Sequence, residues 1–114
     1  AERFFTDVLS PLSLGETVHY RPYHCHSNAL GEEIAVPPAP LAVVEGVYSL
    51  RPELQPYYHV KCFLDVPWST RRARLLGRNG PEGLERFEKL WIPLEDAYFR
   101  AFPIRECCDV ILQG

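Results

Sequence analysis

Leu41-Ala42-Val43-Val44-Glu45-Gly46-Val47-Tyr48 is the stretch whose reading decides the fold. Its four leading apolar residues follow a Pro37-Pro38-Ala39-Pro40 spacer and predict a short strand buried on both faces, the kind a parallel sheet uses. The strand ends at a charge, Glu45, and Gly46 then lets the backbone turn sharply or a ligand approach closely. Open α/β sheets bind their ligands beyond the carboxyl ends of their strands. Mg²⁺ at such a place takes one or two carboxylates together with water and phosphate oxygens. Glu45 is therefore a candidate metal-binding and catalytic carboxylate. The alternative is a side chain that caps the turn or pairs with an arginine.

Downstream, the spacing predicts a second strand over Val60 to Val66 and a third over Cys108 to Leu112. A helix over Trp68 to Gly77 is expected between them, because Pro67 is tolerated in a first helical turn. Arg71, Arg74 and Arg78 recur at i, i+3 and i+7 and share one face of that segment, with Arg78 just beyond Gly77. Guanidinium groups crowded on one face repel one another unless an anion meets them. They either pair with the acidic Glu82, Glu85 and Glu88 that follow or clamp phosphate oxygens, which planar donors match. Pro81 opens the longest helical pattern, Leu84, Phe87, Trp91, Leu94, Tyr98 and Ala101, and Pro93 should kink it. The aromatic residues of this stripe read as core. Leu50 to Tyr58, with two prolines, reads as a loop or short helix.

Upstream, Phe4, Phe5, Val8, Leu9 and Leu12 predict a helix of about two turns, closed by Pro11 and Gly15. Thr17 to Cys25 alternates, Glu32 to Val36 is a second extended run, and the Asn28 and Gly31 between them suit a hairpin loop. The expected β-hairpin, about 17–36, carries Tyr20, Arg21, Tyr23 and His24. Alternating strands and helices give an α/β fold, a parallel sheet with flanking helices and a projecting hairpin, in a single domain over residues 1–114.

The chain has 114 residues, 46% hydrophobic and 24% charged, and a formal net charge of −3. That acidic balance argues against a nucleic-acid partner, whose phosphates call for a strongly basic face. No run of eighteen apolar residues and no basic-then-apolar leader occurs, so a cytoplasmic protein with no membrane partner is expected. Cys107 and Cys108 are adjacent and Cys62 lies in an apolar run, which suits reduced thiols. The chain opens with Ala1 and reads as a segment of something longer. His24-Cys25-His26 places two imidazoles on one side of a strand, but no C-x-x-C or H-x₃-H spacing supports a zinc site. Ser49 lacks a G-x-S-x-G frame, which leaves a serine nucleophile unsupported.

Tyr20-Arg21-Pro22-Tyr23, Val43-Val44-Glu45-Gly46-Val47-Tyr48, Phe63-Leu64-Asp65-Val66, Arg71-x-x-Arg74-x-x-x-Arg78-Asn79-Gly80, Trp91-Ile92-Pro93-Leu94-Glu95 and Cys108-Asp109-Val110-Ile111 stand in an order that resembles the uridine kinase-like branch of the P-loop nucleoside kinases. The resemblance spans nearly the whole chain and rests on the order of the pieces. It implies a partial P-loop kinase sheet, ATP and Mg²⁺ as cofactors, and transfer of the γ-phosphoryl of ATP to a nucleoside 5′-hydroxyl. It assigns Glu45 to Mg²⁺ and phosphate, Tyr23 with Tyr20 and His24 to the nucleoside, and the lid residues Arg74, Arg78 and Arg71 to the ATP phosphates. His24 stands where that family usually has Asp. The phosphate loop, G-x-x-x-x-G-K-[ST], is nowhere in these 114 residues. The expectation is an inactive carboxyl-terminal portion of such a kinase. The alternatives are a non-catalytic remnant or oligomerising module of the same fold, or a kinase for another small hydroxyl substrate. Where the loop's own strand would lie, between the Leu41 and Val60 strands, two open edges remain, and self-association is expected to cover them.

Overall fold

The computed structural model describes residues 2–24 and 27–114. Two compact units result, Ala1–Glu45 and Gly46–Gly114.

The first unit opens with helix α1 over residues 2–13, longer than the two turns expected. Pro11 does not end it. Instead Phe5–Leu9 widens to a π-turn, and the N–H of Ser10 donates to the carbonyl of Phe5, five residues back. A proline has no N–H to give, and its ring presses on the carbonyl four residues before it. One wide turn just ahead of it relieves that clash and lets the helix continue. Gly15, with φ 69°, then releases the chain. Strand β1 (Val18–Tyr20) pairs antiparallel with β4 (Ile34–Val36), Val18 facing Val36. Farther out, β2 (Tyr23–His24) pairs antiparallel with β3 (Ala29–Leu30). The turn between them uses Asn28 at φ 50°, a left-handed conformation that asparagine tolerates. Leu9 of α1 and Val18 of β1 are the buried residues of this unit.

Leu41 to Val44 is not a strand. Leu41 and Val43 are 79% and 82% exposed, and the segment pairs with no strand among the described residues. An apolar run is suited to a buried strand, but a strand exists only through neighbours that accept its ladder bonds, and here none flanks it.

In the second unit a 3₁₀ turn (Gln55–Tyr57) leads to β5 (Cys62–Asp65), which pairs in parallel with β6 (Val110–Gln113) in the register Cys62 to Val110 and Asp65 to Gln113. The fold is thus mixed α/β with a two-stranded parallel sheet. Asp109 fixes the pairing from both of its groups: its N–H donates to the carbonyl of Lys61 at 2.8 Å, and its Oδ2 accepts from the N–H of Lys61 at 2.8 Å. Between the strands, Trp68–Arg86 is helical except at Gly80, whose φ of 73° and ψ of 175° split it into α2 before the glycine and α3 after it. Arg78 therefore lies inside α2 and not beyond its end. Pro81 opens α3, which passes through a second π-turn at Phe87–Trp91 and continues as Ile92–Ala101. Pro93 stands just past that turn as Pro11 stands past the first, and the N–H of Ile92 donates to the carbonyl of Phe87. A short helix α4 (Ile104–Cys107) then delivers the chain to β6. Leu54, Leu84 and Ile104 are the buried large apolar residues of this unit, with Gly83 buried beside Leu84. Phe63 of β5 meets Phe99 of α3 edge-on at 5.7 Å, and Tyr48 meets Tyr98 at 4.9 Å.

Gly80 sits in a backbone region that is nearly confined to glycine, so Gly80→Ala should lower stability by about 1–3 kcal/mol. A denaturant titration will read this as a lower midpoint with unchanged slope, and an unchanged midpoint would mean that the break between α2 and α3 has moved.

Candidate functional site

The arginine face of α2 lines a concavity of the second unit. Because α2 starts three residues after β5 ends, its first turns carry Arg71 and Arg74 close in sequence to the strand's carboxyl end. Arg71, Arg74 and Arg78 line one cavity of about 350 Å³ with Glu95, and Val47, Leu75, Phe87 and Ile92 form its apolar wall. The i, i+3, i+7 spacing has done what a helix requires of it.

The three arginines differ in their partners. Arg71 donates from Nη2 to Oε2 of Glu95 at 2.8 Å, and Glu95 is the better buried of the two, with 15% of its side chain exposed. The Arg71 guanidinium also lies over the Trp68 ring, 5.5 Å from its centroid. Arg78 lies 6.0 Å over the Phe87 ring. Neither Arg74 nor Arg78 has a carboxylate partner among the described residues. Of the acids that follow α2, Glu88 takes Arg72 at 3.1 Å and Glu85 takes Lys89, while Glu82 pairs with no cation among the described residues. The cavity consequently holds one neutralised and two free guanidinium groups, a donor set that suits a polyanion.

Sequence reasoning missed Glu95 and Phe87 as members of this site. The Glu95 pairing spans 24 positions and leaves no local signal, whereas Phe87 lies in the apolar stripe and reads as core.

The remaining candidates belong to the first unit. Tyr20 is half-buried in β1. Tyr23 is exposed and donates its hydroxyl to Oδ1 of Asn28. The exposed His24 places its imidazole against Gly31, where any added Cβ would meet it. Glu45 is exposed, in irregular backbone before Gly46. No group of three or more His, Cys, Asp or Glu side chains able to hold a metal occurs among the described residues. Cys25 and His26, two of the three residues of the weighed zinc site, lie outside the described residues. No helix among the described residues is long and apolar enough to cross a membrane.

Searches against protein-family models and against curated proteins find no match to this chain.

Elsewhere in the second unit, two phenols have buried hydroxyl oxygens without a hydrogen-bond partner, Tyr58 and Tyr98. Burial pushes both up from the ordinary tyrosine value; at Tyr98 the Arg51 guanidinium pulls the other way, while Glu53 and Tyr48 add to the rise. Burial likewise raises the Cys108 thiol, with Cys107, Cys62 and Asp109 adding and Lys61 opposing. A raised value means that the folded chain keeps its proton to higher pH than the unfolded chain does. Stability from these groups is then fully present below the unfolded values and is lost as pH rises through the folded ones. Unfolding midpoints should hold level through neutrality and fall in the alkaline range, above about pH 9–10. Tyr98→Phe should flatten that fall; an identical alkaline profile in the variant would remove Tyr98 as a cause.

Proposed function

We propose that the arginine cavity binds the phosphates of a nucleoside triphosphate, and that this chain is part of an ATP-dependent, uridine kinase-like nucleoside kinase. One observation carries the reading: Arg74 and Arg78 line a single cavity without carboxylate partners among the described residues, while Glu85 and Glu88 pair with other cations. Leaving two cations unpaired beside a third is unfavourable in the empty protein and becomes favourable when a polyanion enters. The aromatic and aliphatic wall lowers the local dielectric and strengthens each charge-assisted bond.

In this reading Arg74 and Arg78 fork onto phosphate oxygens, and Arg71, held by Glu95, sets the position of the face. Tyr23, Tyr20 and His24 of the hairpin take the nucleoside. Glu45, a lone exposed carboxylate, suits Mg²⁺ that keeps most of its water, and the ion when bound would neutralise charge on the transferring phosphoryl group. Phosphoryl transfer rests on positioning and charge more than on covalent chemistry. With no G-x-x-x-x-G-K-[ST] in its 114 residues, this chain should bind ATP yet form no nucleoside monophosphate.

Titration calorimetry with ATP and with inorganic tripolyphosphate tests the proposal. Both should bind, with affinity that declines as salt rises, and Arg74→Ala or Arg78→Ala should weaken binding roughly tenfold or more, given about 1.5–3 kcal/mol for hydrogen bonds to charged groups. Arg78→Lys should recover only part of it, because a point charge does not reproduce the planar fork. Equal affinities for all three variants and the parent would refute the clamp. Glu45→Gln should leave metal-free ATP binding unchanged and reduce the gain from added Mg²⁺; an unreduced gain would assign Glu45 to the turn alone.

A further inference from the structure

We infer that β5 is a dimerisation edge, which pairs antiparallel with β5 of a second copy of this chain, centred on Phe63. This rests on the sheet of the second unit as the chain presents it by itself, because the phosphate-loop strand of a complete kinase would take the same edge of β5.

The first ground is that the sheet is unfinished. Parallel strands are characteristic of sheets covered on both faces, and a two-stranded sheet is marginal alone. Residues paired side by side in a parallel ladder share a face, so Cys62, Leu64, Val110 and Leu112 lie together, with Val60 just before them. Val60, Leu64 and Leu112 are 64%, 61% and 51% exposed. Phe63, of the other face, is the one that meets Phe99.

The second ground is which backbone groups are free. The carbonyl of Lys61 accepts from Asp109 and Val110, and the carbonyl of Asp65 accepts from Gly114, so the odd-numbered residues of β5 address β6. By alternation the peptide groups of Cys62 and Leu64 point to the outer edge, where no strand lies among the described residues. An antiparallel partner centred on Phe63 sets Cys62 opposite Leu64 of the second copy, and Leu64 opposite its Cys62. In that register the outward N–H and C=O groups of each copy meet those of the other, and Phe63 faces Phe63 at a non-bonded position.

The third ground is charge. Lys61 and Asp65 are equally distant from Phe63, so the same register sets each Lys61 opposite the other copy's Asp65. Each charge has a partly exposed partner in its own chain, Asp109 at 3.9 Å from Lys61 and Arg105 at 3.2 Å from Asp65. The row Asp109, Lys61, Asp65, Arg105 alternates in sign across the two-fold axis. Edge strands that avoid pairing carry proline or a repelling charge; β5 has neither, and its charges are self-complementary. The product is a continuous sheet in the order β6, β5, β5, β6, past the size at which a sheet is marginal.

The native Cys62 supplies the test. Leu64→Cys, with Cys25, Cys107 and Cys108 changed to Ser, places thiols on an exposed face where the proposed register brings Cα atoms to about 5.5 Å, within disulfide range. Mild oxidation should convert most of the chain to a reducible dimer, while Leu112→Cys in the same background should not. The unmodified protein should sediment as a dimer and Asp65→Lys should shift it toward monomer, with circular dichroism verifying the fold of each. A protein that stays monomeric at high micromolar concentration overturns the inference. So does a dimer of the Leu64→Cys variant in which Cys62 fails to link to the introduced thiol, since that places the contact elsewhere.

Discussion

The second unit depends on the parallel pairing of Cys62–Asp65 with Val110–Gln113. Parallel strands cannot be joined by a tight turn, so everything from Val66 to Asp109 is crossover. The helices α2, α3 and α4 are what the chain does to return to the sheet in the same direction. Asp109 closes that long loop from both its backbone and its carboxylate, and the Arg105–Asp65 pair ties the last helix to the end of β5. These contacts are few and partly exposed, and most of the strand surface remains open to solvent. The pairing defines the topology but does not by itself supply a deep core.

The arginine cavity follows from how the crossover disposes its charges. Residues 71–78 include four arginines, Arg71, Arg72, Arg74 and Arg78. Competition for nearby acids sorts them: Arg72 turns to Glu88, Arg71 to Glu95, and Arg74 and Arg78 are left facing the cavity. Arg78 stands near the carboxyl end of α2, where the helix dipole favours a cation. The Phe87 ring offers it a second, weaker attraction that leaves its donors free. A face that neutralised every arginine internally would have no use for an anion.

Prolines shape the helices in a way that a simple breaker rule does not anticipate. Pro11 and Pro93 each stand two residues beyond the end of a π-turn, and in both cases the helix goes on. Widening one turn satisfies a backbone that has lost a donor and removes the ring clash, and the amphipathic stripe continues past it. In α3 that continuation brings Glu95 to the cavity and Tyr98 to the aromatic contacts with Tyr48 and Phe102.

The sequence by itself determined those features that rest on local rules. Proline at 81 marks a helix start because its backbone preference is intrinsic, and the spacing of Arg71, Arg74 and Arg78 puts them on one face because a helix has a fixed period. Alternation and the Asn28 turn marked the extended runs that pair as β1 with β4 and β2 with β3. The tertiary structure decided what depends on partners distant in sequence. Whether Leu41 to Val44 becomes a strand requires a neighbouring ladder, and no apolar run can supply its own. Which arginine keeps its charge free depends on where Glu88 and Glu95 arrive after two helical segments, a separation over which no residue pattern is informative.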